Sequence, residues 1–340
     1  MTKYNLYNSD TKVAEFIIDA GRIREYTPII PELLPMQIRS CGHEGFLLWL
    51  NERAIDLGTL QHRNMVSELW GTRDKLSLVL QTHMFSLSDT FTCFPESEFV
   101  PRGNICSPAS QDFVSDYILI SSDTSLHNLR IPTPNISTDG SFPKTWKYEN
   151  GVWWLYKIQS TAATRCEVEI SKALECCGWD TAQYHYAGTR LTRIKTRCFL
   201  GADEFFEPYD SYRYAFADIG DNDSVIFENI ASVGEEYAAA WKRILLADAL
   251  FLNTDRHMRN FGFIRSSKTG KTLRLAPNFD NNQAYLANPG GKYSDRMLRM
   301  FMHDADAQTK AELAKLVAAC AHSSYLSEAY EAGSRILNAD

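Results

Sequence analysis

The chain has 340 residues, enough for two lobes or for one large catalytic domain with an N-terminal extension. Its 44% hydrophobic and 23% charged residues exclude a disordered or fibrous protein. A net charge of −7 argues against a nucleic-acid coat, so no direct nucleic-acid binding is expected, although net charge does not report a local basic cleft.

The first residues, MTKYNLYNSDTKVAEF, carry early charges and no apolar stretch of the signal-peptide kind. No run of about 18 apolar residues follows anywhere, so no membrane span is expected and a cytoplasmic location is. Within residues 1–30, VAEFIID is the best strand candidate. GFLLWLNERAI (45–55) reads as a short buried helix, and NMVSELWG (64–71) and LSLVLQTH (76–83) have near-helical apolar spacing. Residues 101–145 are rich in Ser, Pro, Asn, Asp and Gly and predict loops and short strands. VWWLYKI (152–158) is a strong strand signal. A helix follows over about 163–177, with Gly178 as its C-terminal stop. LTRIKTRCFL (191–200) predicts another strand. EEYAAAWKRILLADALFLN (235–253) is the clearest helix, with Tyr237, Trp241, Ile244, Leu245, Asp248 and Leu252 on one face. Two short strand-like pieces, GFI and TLRLAP, precede a helical C-terminus over 304–337. Cysteines at 41, 93, 106, 166, 176, 177, 198 and 320 form no CxxC pair, which suits reduced thiols rather than a zinc or redox motif. The order predicts an α+β protein in two lobes: a mixed N-lobe with an antiparallel sheet, then a mainly helical C-lobe. The expected divisions are an extension of open role over 1–125, an N-lobe over 126–205 and a helical lobe over 206–340.

The residues with chemistry are NTDRHMRN (253–260), at the end of the long helix, and LAPNFD (275–280). Between them, FGFIRSSKTGKTLRLAP has the look of a hairpin turning at SKTG. Asp255 and Asn260 are five residues apart, the interval between base and metal-binding Asn in the protein-kinase catalytic loop. A hydroxyl nucleophile needs a carboxylate to orient it and take its proton, which suits Asp255. Magnesium favours hard oxygens, which suits Asn260 and Asp280. Taken singly, each is more often a cap or turn former; the combined order is what carries the reading. His257 lies inside the loop with no second His at helical spacing. It counts among the cofactor-binding candidates, with a structural bond to loop backbone as the stronger alternative.

Lys157 ends an apolar strand, where it either snorkels to solvent or contacts phosphates and pairs with a helix carboxylate. Glu167 and Glu169 are the carboxylates on offer. They differ by two positions and so face different sides of a helix, with Glu167 preferred. Upstream, STDGSFPK (137–144) is a candidate phosphate loop: Gly140 permits close backbone approach, and Ser137, Thr138 and Ser141 carry hydroxyls. An ordinary β-turn explains it equally well.

Over about 130–285, and on the segments N253-T-D255-R-H257-M-R-N260-F and L275-A-P277-N-F-D280, the chain resembles the HipA-like serine/threonine kinases, which are toxin kinases of bacterial toxin–antitoxin modules and their single-chain relatives. The resemblance implies a two-lobed protein-kinase-like fold using ATP and Mg2+. Asp255 would be the catalytic base, Asn260 and Asp280 the metal ligands and Lys157 the phosphate-binding group. It also implies a protein substrate, autophosphorylation at a serine matching Ser137 or Ser141, and an antitoxin-type partner protein. A small-molecule kinase, or a non-catalytic nucleotide-binding module, are the alternatives.

Overall fold

In a computed structural model, the structure describes residues 1–54, 66–67, 70–106, 132–137, 142–285 and 293–339, with 136 and 137 as backbone only. The chain forms two compact units that interleave along the sequence: residues 1–157, 200–217 and 263–274 in the first, and residues 158–199, 218–262 and 275–340 in the second.

The first unit begins with an antiparallel meander. Strands β1 (Thr2–Asn8), β2 (Thr11–Asp19) and β3 (Arg22–Pro28) pair in sequence order, and β4 (Phe91–Pro95) adds to the other side of β1, giving the order β3-β2-β1-β4. The expected strand VAEFIID forms most of β2. Val13, Ala14 and Phe16 of β2 are buried in one core with Ile38, Phe46, Trp49 and Leu50 of helix α1 (Met36–Glu52). α1 starts earlier than periodicity suggested and bends at Gly42, whose φ of 56° interrupts the helical backbone. Helix α2 (Lys75–Gln81) covers the expected 76–83 element and is capped by Asp74, which accepts from the Ser77 N–H. Most of the expected loop region 101–145 lies outside the described residues, as does half of 64–71; a short helix, α3 (Arg102–Ile105), lies at the start of that region.

Strands β5 (Lys144–Glu149) and β6 (Val152–Ile158) form a hairpin in which Trp146 faces Leu155 and Lys144 faces Lys157. Its turn is Asn150-Gly151, both at positive φ (52° and 83°), the pair a two-residue turn of matching twist requires. In the second unit, α4 (Thr161–Cys176) takes its N-cap bond from the Ser160 hydroxyl and ends before Gly178 at φ 70°. Strands β7 (Tyr184–Tyr186) and β8 (Arg193–Arg197) pair antiparallel. The first unit resumes with β9 (Glu204–Pro208) and the one-turn helix α5 (Tyr209–Tyr212).

The second unit's helices are α6 (Asp223–Val233), α7 (Glu235–Phe251), α8 (Arg296–Met302), α9 (Ala307–Cys320) and α10 (Ser327–Leu337). The face expected for α7 holds in part. Trp241, Ile244 and Asp248 are buried, but Tyr237 and Leu245 are half-buried, and from Leu246 to Phe251 the helix is buried all round. That end packs on α4, α9 and the segment around Ala284, so no solvent face remains for periodicity to report. Gly333 lets α10 approach α9: a Cβ there would lie 2.2 Å from Val317 Cγ2. Strands β10 (Gly262–Ser266) and β11 (Thr272–Leu275) form the expected hairpin, and β9 flanks β10. None of the eight cysteines is in a disulfide, and burial pushes the Cys93, Cys106 and Cys320 thiols up to about 12. Among the described residues, no helix is long and apolar enough to cross a membrane.

Candidate active site

The site begins where α7 stops. Leu252 takes the left-handed conformation (φ 52°, ψ 45°), a state that costs a non-glycine residue about 1–2 kcal/mol. Its N–H and that of Asn253 both return to the Asp248 carbonyl, so the chain leaves the helix in a fixed direction. The next residues fold onto the Asp255 carbonyl, which accepts from the His257 N–H at 2.9 Å and from Asn260 Nδ2 at 3.0 Å. With Nδ2 committed, the Asn260 side chain has its amide oxygen left for an external ligand. Asp255 is exposed, and its carboxylate makes no hydrogen bond or ion pair among the described residues. His257 is exposed too, and its Nδ1 accepts from the Arg259 N–H at 3.3 Å, a bond to loop backbone.

Arg256 holds this loop. It makes a two-pronged pair with Asp248, Nε to Oδ2 and Nη2 to Oδ1, both at 2.9 Å. It also donates to the carbonyls of Asn260 (2.9 Å) and Phe279 (2.6 Å) and to Asn281 Oδ1 (3.0 Å). Burial disfavours the guanidinium charge, but the Asp248 carboxylate outweighs it and holds the Arg256 pKa above its ordinary value. Asn253 Nδ2 reaches Asp248 Oδ1 at 3.0 Å, and Asn281 Nδ2 reaches Asn278 Oδ1 at 2.8 Å. One cation thus joins the loop bearing Asp255 and Asn260 to the segment bearing Asp280. Sequence reasoning missed Arg256 and the asparagines and gave Asp248 no role beyond its helix face. The available signal was a carboxylate on the core face of an otherwise apolar helical turn, which requires a partner.

Asp280 stands at φ 60°, in the left-handed region, with its N–H toward Tyr184 Oη at 3.3 Å and its Oδ1 accepting from Asn282 Nδ2 at 3.0 Å. Non-glycine residues held there concentrate at functional sites. Asp255, Asn260 and Asp280 all belong to the second unit.

Lys157 ends β6 in the first unit and is 5% exposed, so it does not snorkel to solvent. Glu167 and Glu169 of α4 are both buried and differ as a two-residue offset requires. The Glu169 carboxylate is engaged by Lys172 and by Ser323 Oγ at 2.6 Å, toward the C-terminal helices. Glu167 accepts from Gln159 Nε2 at 2.7 Å, just beyond the end of β6. Thr138, Gly140, Ser141 and the Ser137 side chain lie outside the described residues. The Ser137 backbone ends a 3-10 turn (Pro134–Ser137) near Asn135, whose Oδ1 accepts from the Trp146 N–H at 2.7 Å.

The profile of the HipA-like C-terminal domain matches residues 149–337. The chain belongs to the HipA-like kinase family. Among solved structures, HipA of Shewanella oneidensis MR-1, solved with HipB and operator DNA of its toxin–antitoxin system, is similar at a TM-score of 0.59 and 12% identity. That match covers 97% of this chain and 91% of that one. The match supports a protein-kinase-like, HipA-like fold over nearly the whole length, including the region before residue 149 that the family profile leaves out. A Helicobacter pylori proinflammatory kinase, CtkA, matches at a TM-score of 0.44 and 14% identity over 56% of this chain and 88% of that one. No curated protein sequence matches. The loop and the Asp280 segment described above both fall inside the matched HipA-like region.

Proposed function

We propose that this chain is an ATP- and Mg2+-dependent protein serine/threonine kinase of HipA-like type. One observation carries the reading. Asp255 presents a carboxylate unengaged among the described residues, five residues before Asn260, on a loop that Arg256 fastens to the segment ending in Asp280. The donors there are hard oxygens, the set a magnesium ion takes, so the residues present fit that ion. Asn260, through its amide oxygen, and Asp280 would hold it. Lys157 would contact phosphate oxygens, and Glu167 is the preferred carboxylate of α4. His257 holds the loop backbone. ATP with its metal supplies the γ-phosphoryl group for transfer when bound.

Asp255 orients the substrate hydroxyl and accepts its proton as the oxygen–phosphorus bond forms and the bond to the departing ADP oxygen breaks. Arg256 has no part in the chemistry; it fixes the loop on which positioning depends. An antitoxin-type protein partner belongs to this reading, supported by the HipB complex of the Shewanella relative. With a net charge of −7, contact with DNA would run mainly through such a partner.

The test is transfer of label from ATP with Mg2+, alone and with cell extract. Wild type is expected to label a protein serine or threonine. Asp255→Ala is expected to lower the rate by about 10²–10⁴-fold, the usual worth of a positioned base, and Asp280→Ala to abolish transfer. A folded wild-type chain that binds no ATP by calorimetry overturns the reading.

A further inference from the structure

Two carboxamides follow Asp280, and the Arg256 clamp explains only one of them. Asn281 is tied to Arg256 and Asn278. Asn282 turns the other way. It is 5% exposed, and its Nδ2 donates to Asp280 Oδ1 at 3.0 Å. Its own Oδ1 is buried and has no hydrogen-bond partner among the described residues. A buried acceptor without a donor costs about 1–3 kcal/mol, so its presence asks for a water or ion that completes it. Asp280 is meanwhile restrained by its left-handed backbone, by the Tyr184 hydroxyl at its N–H and by Asn282 on Oδ1.

We propose that Asn282 is a positioning residue of the cation site. Its Nδ2 bond to Asp280 Oδ1 fixes the orientation of the carboxylate that would hold the ion. Its Oδ1 accepts a hydrogen bond from a water in the ion's hydration shell. Magnesium and manganese keep several waters when protein-bound, and outer-shell partners that orient a carboxylate ligand are worth about 10–100-fold in metal affinity. This inference rests on the kinase reading of Asp280.

The experiment is a titration of the full chain with Mn2+ in the presence of a non-hydrolysable ATP analogue, following free Mn2+ by electron paramagnetic resonance. Wild type, Asn282→Ala, Asn282→Ser and Asp280→Ala are compared, with thermal unfolding and metal-free nucleotide affinity measured alongside. The expected result is Mn2+ affinity weakened about tenfold or more in Asn282→Ala, with the unfolding midpoint and metal-free nucleotide affinity unchanged. Asn282→Ser serves the same comparison if the alanine variant does not fold. Wild-type Mn2+ affinity in both Asn282 variants, with affinity lost in Asp280→Ala, overturns this inference and leaves the kinase reading standing. Retained affinity in Asp280→Ala overturns the assignment of Asp280 and the inference with it.

Discussion

Asp248 is a carboxylate at a position where its neighbours on the helix are apolar, and at 2% exposure it is tolerable only because Arg256 faces it with two parallel bonds. Asp248→Asn leaves the guanidinium buried with half its partner. The expected cost is about 3–5 kcal/mol, read as a lowered denaturation midpoint, together with a transfer rate that falls because Arg256, the common donor to the Asn260 and Phe279 carbonyls, loses the carboxylate that holds it in place. A variant with wild-type stability would show that Asn253 and Asn281 suffice to hold the loop. At this scale the sequence was legible where chemistry is local. Asp255, Asn260 and Asp280 can be named as candidates from residue type and interval alone. Arg256 and Asn282 did not, because each matters through a partner that only the folded backbone brings near. Glu167 could be preferred over Glu169 but not settled from sequence. The structure shows Glu169 engaged with Ser323, 154 positions away, a contact beyond any helical-spacing argument.

Among the elements, the β10–β11 hairpin joins the Asp255 loop to the Asp280 segment and depends on a close approach. Gly270 has φ 67°, and a Cβ there would stand 2.0 Å from the Glu32 carbonyl oxygen. Beside it, Arg265 is fully buried, pairs with Glu207 Oε2 at 2.6 Å and donates to the carbonyls of Glu32, Leu34 and Gly270. Gly270→Ala meets both the left-handed backbone and that carbonyl. It is expected to destabilise by more than the about 1–2 kcal/mol of the backbone penalty alone, as measured by urea unfolding. Full stability would mean that the segment around Glu32 moves aside freely. The SKTG turn was readable because Gly follows polar turn formers, and VWWLYKI and the long helix because their patterns are unbroken. α1 was read short because Gly42 and Gly45 interrupt its pattern. Gly45 is in fact required by packing, since a Cβ there would lie 2.2 Å from the Gln37 carbonyl oxygen.

For the whole molecule, acid sensitivity should come in two steps. His83, with its ring against Phe94 and Nδ1 at 3.1 Å from the Cys93 carbonyl, has its pKa lowered by burial. A base with a depressed folded pKa contributes stability that is present above its unfolded value, about 6.5, and lost as pH falls through the folded one. Glu204 is held low mainly by its hydrogen bonds to Arg274. Its contribution is present above about 4.3, its unfolded value, and is lost at lower pH. Denaturant midpoints are therefore expected to decline first below about pH 6.5 and again below about pH 4. His83→Asn should remove the first decline only, because Asn keeps a donor for the Cys93 carbonyl and suits the φ of 53° at that position. Persistence of the first step in that variant would assign it to another group.

The interleaving of the two units bears on how the protein is made. The first unit draws on residues 1–157, 200–217 and 263–274, so its last strands leave the ribosome only after most of the second unit's sequence has been translated. At about 5–20 residues per second, the gap between residue 157 and residue 274 lasts on the order of 6–23 s. Through that interval the nascent chain carries Glu32 and Leu34 without Arg265. The N-terminal sheet can pair early, but its final buttress arrives late, and folding along the ribosome cannot proceed one unit at a time.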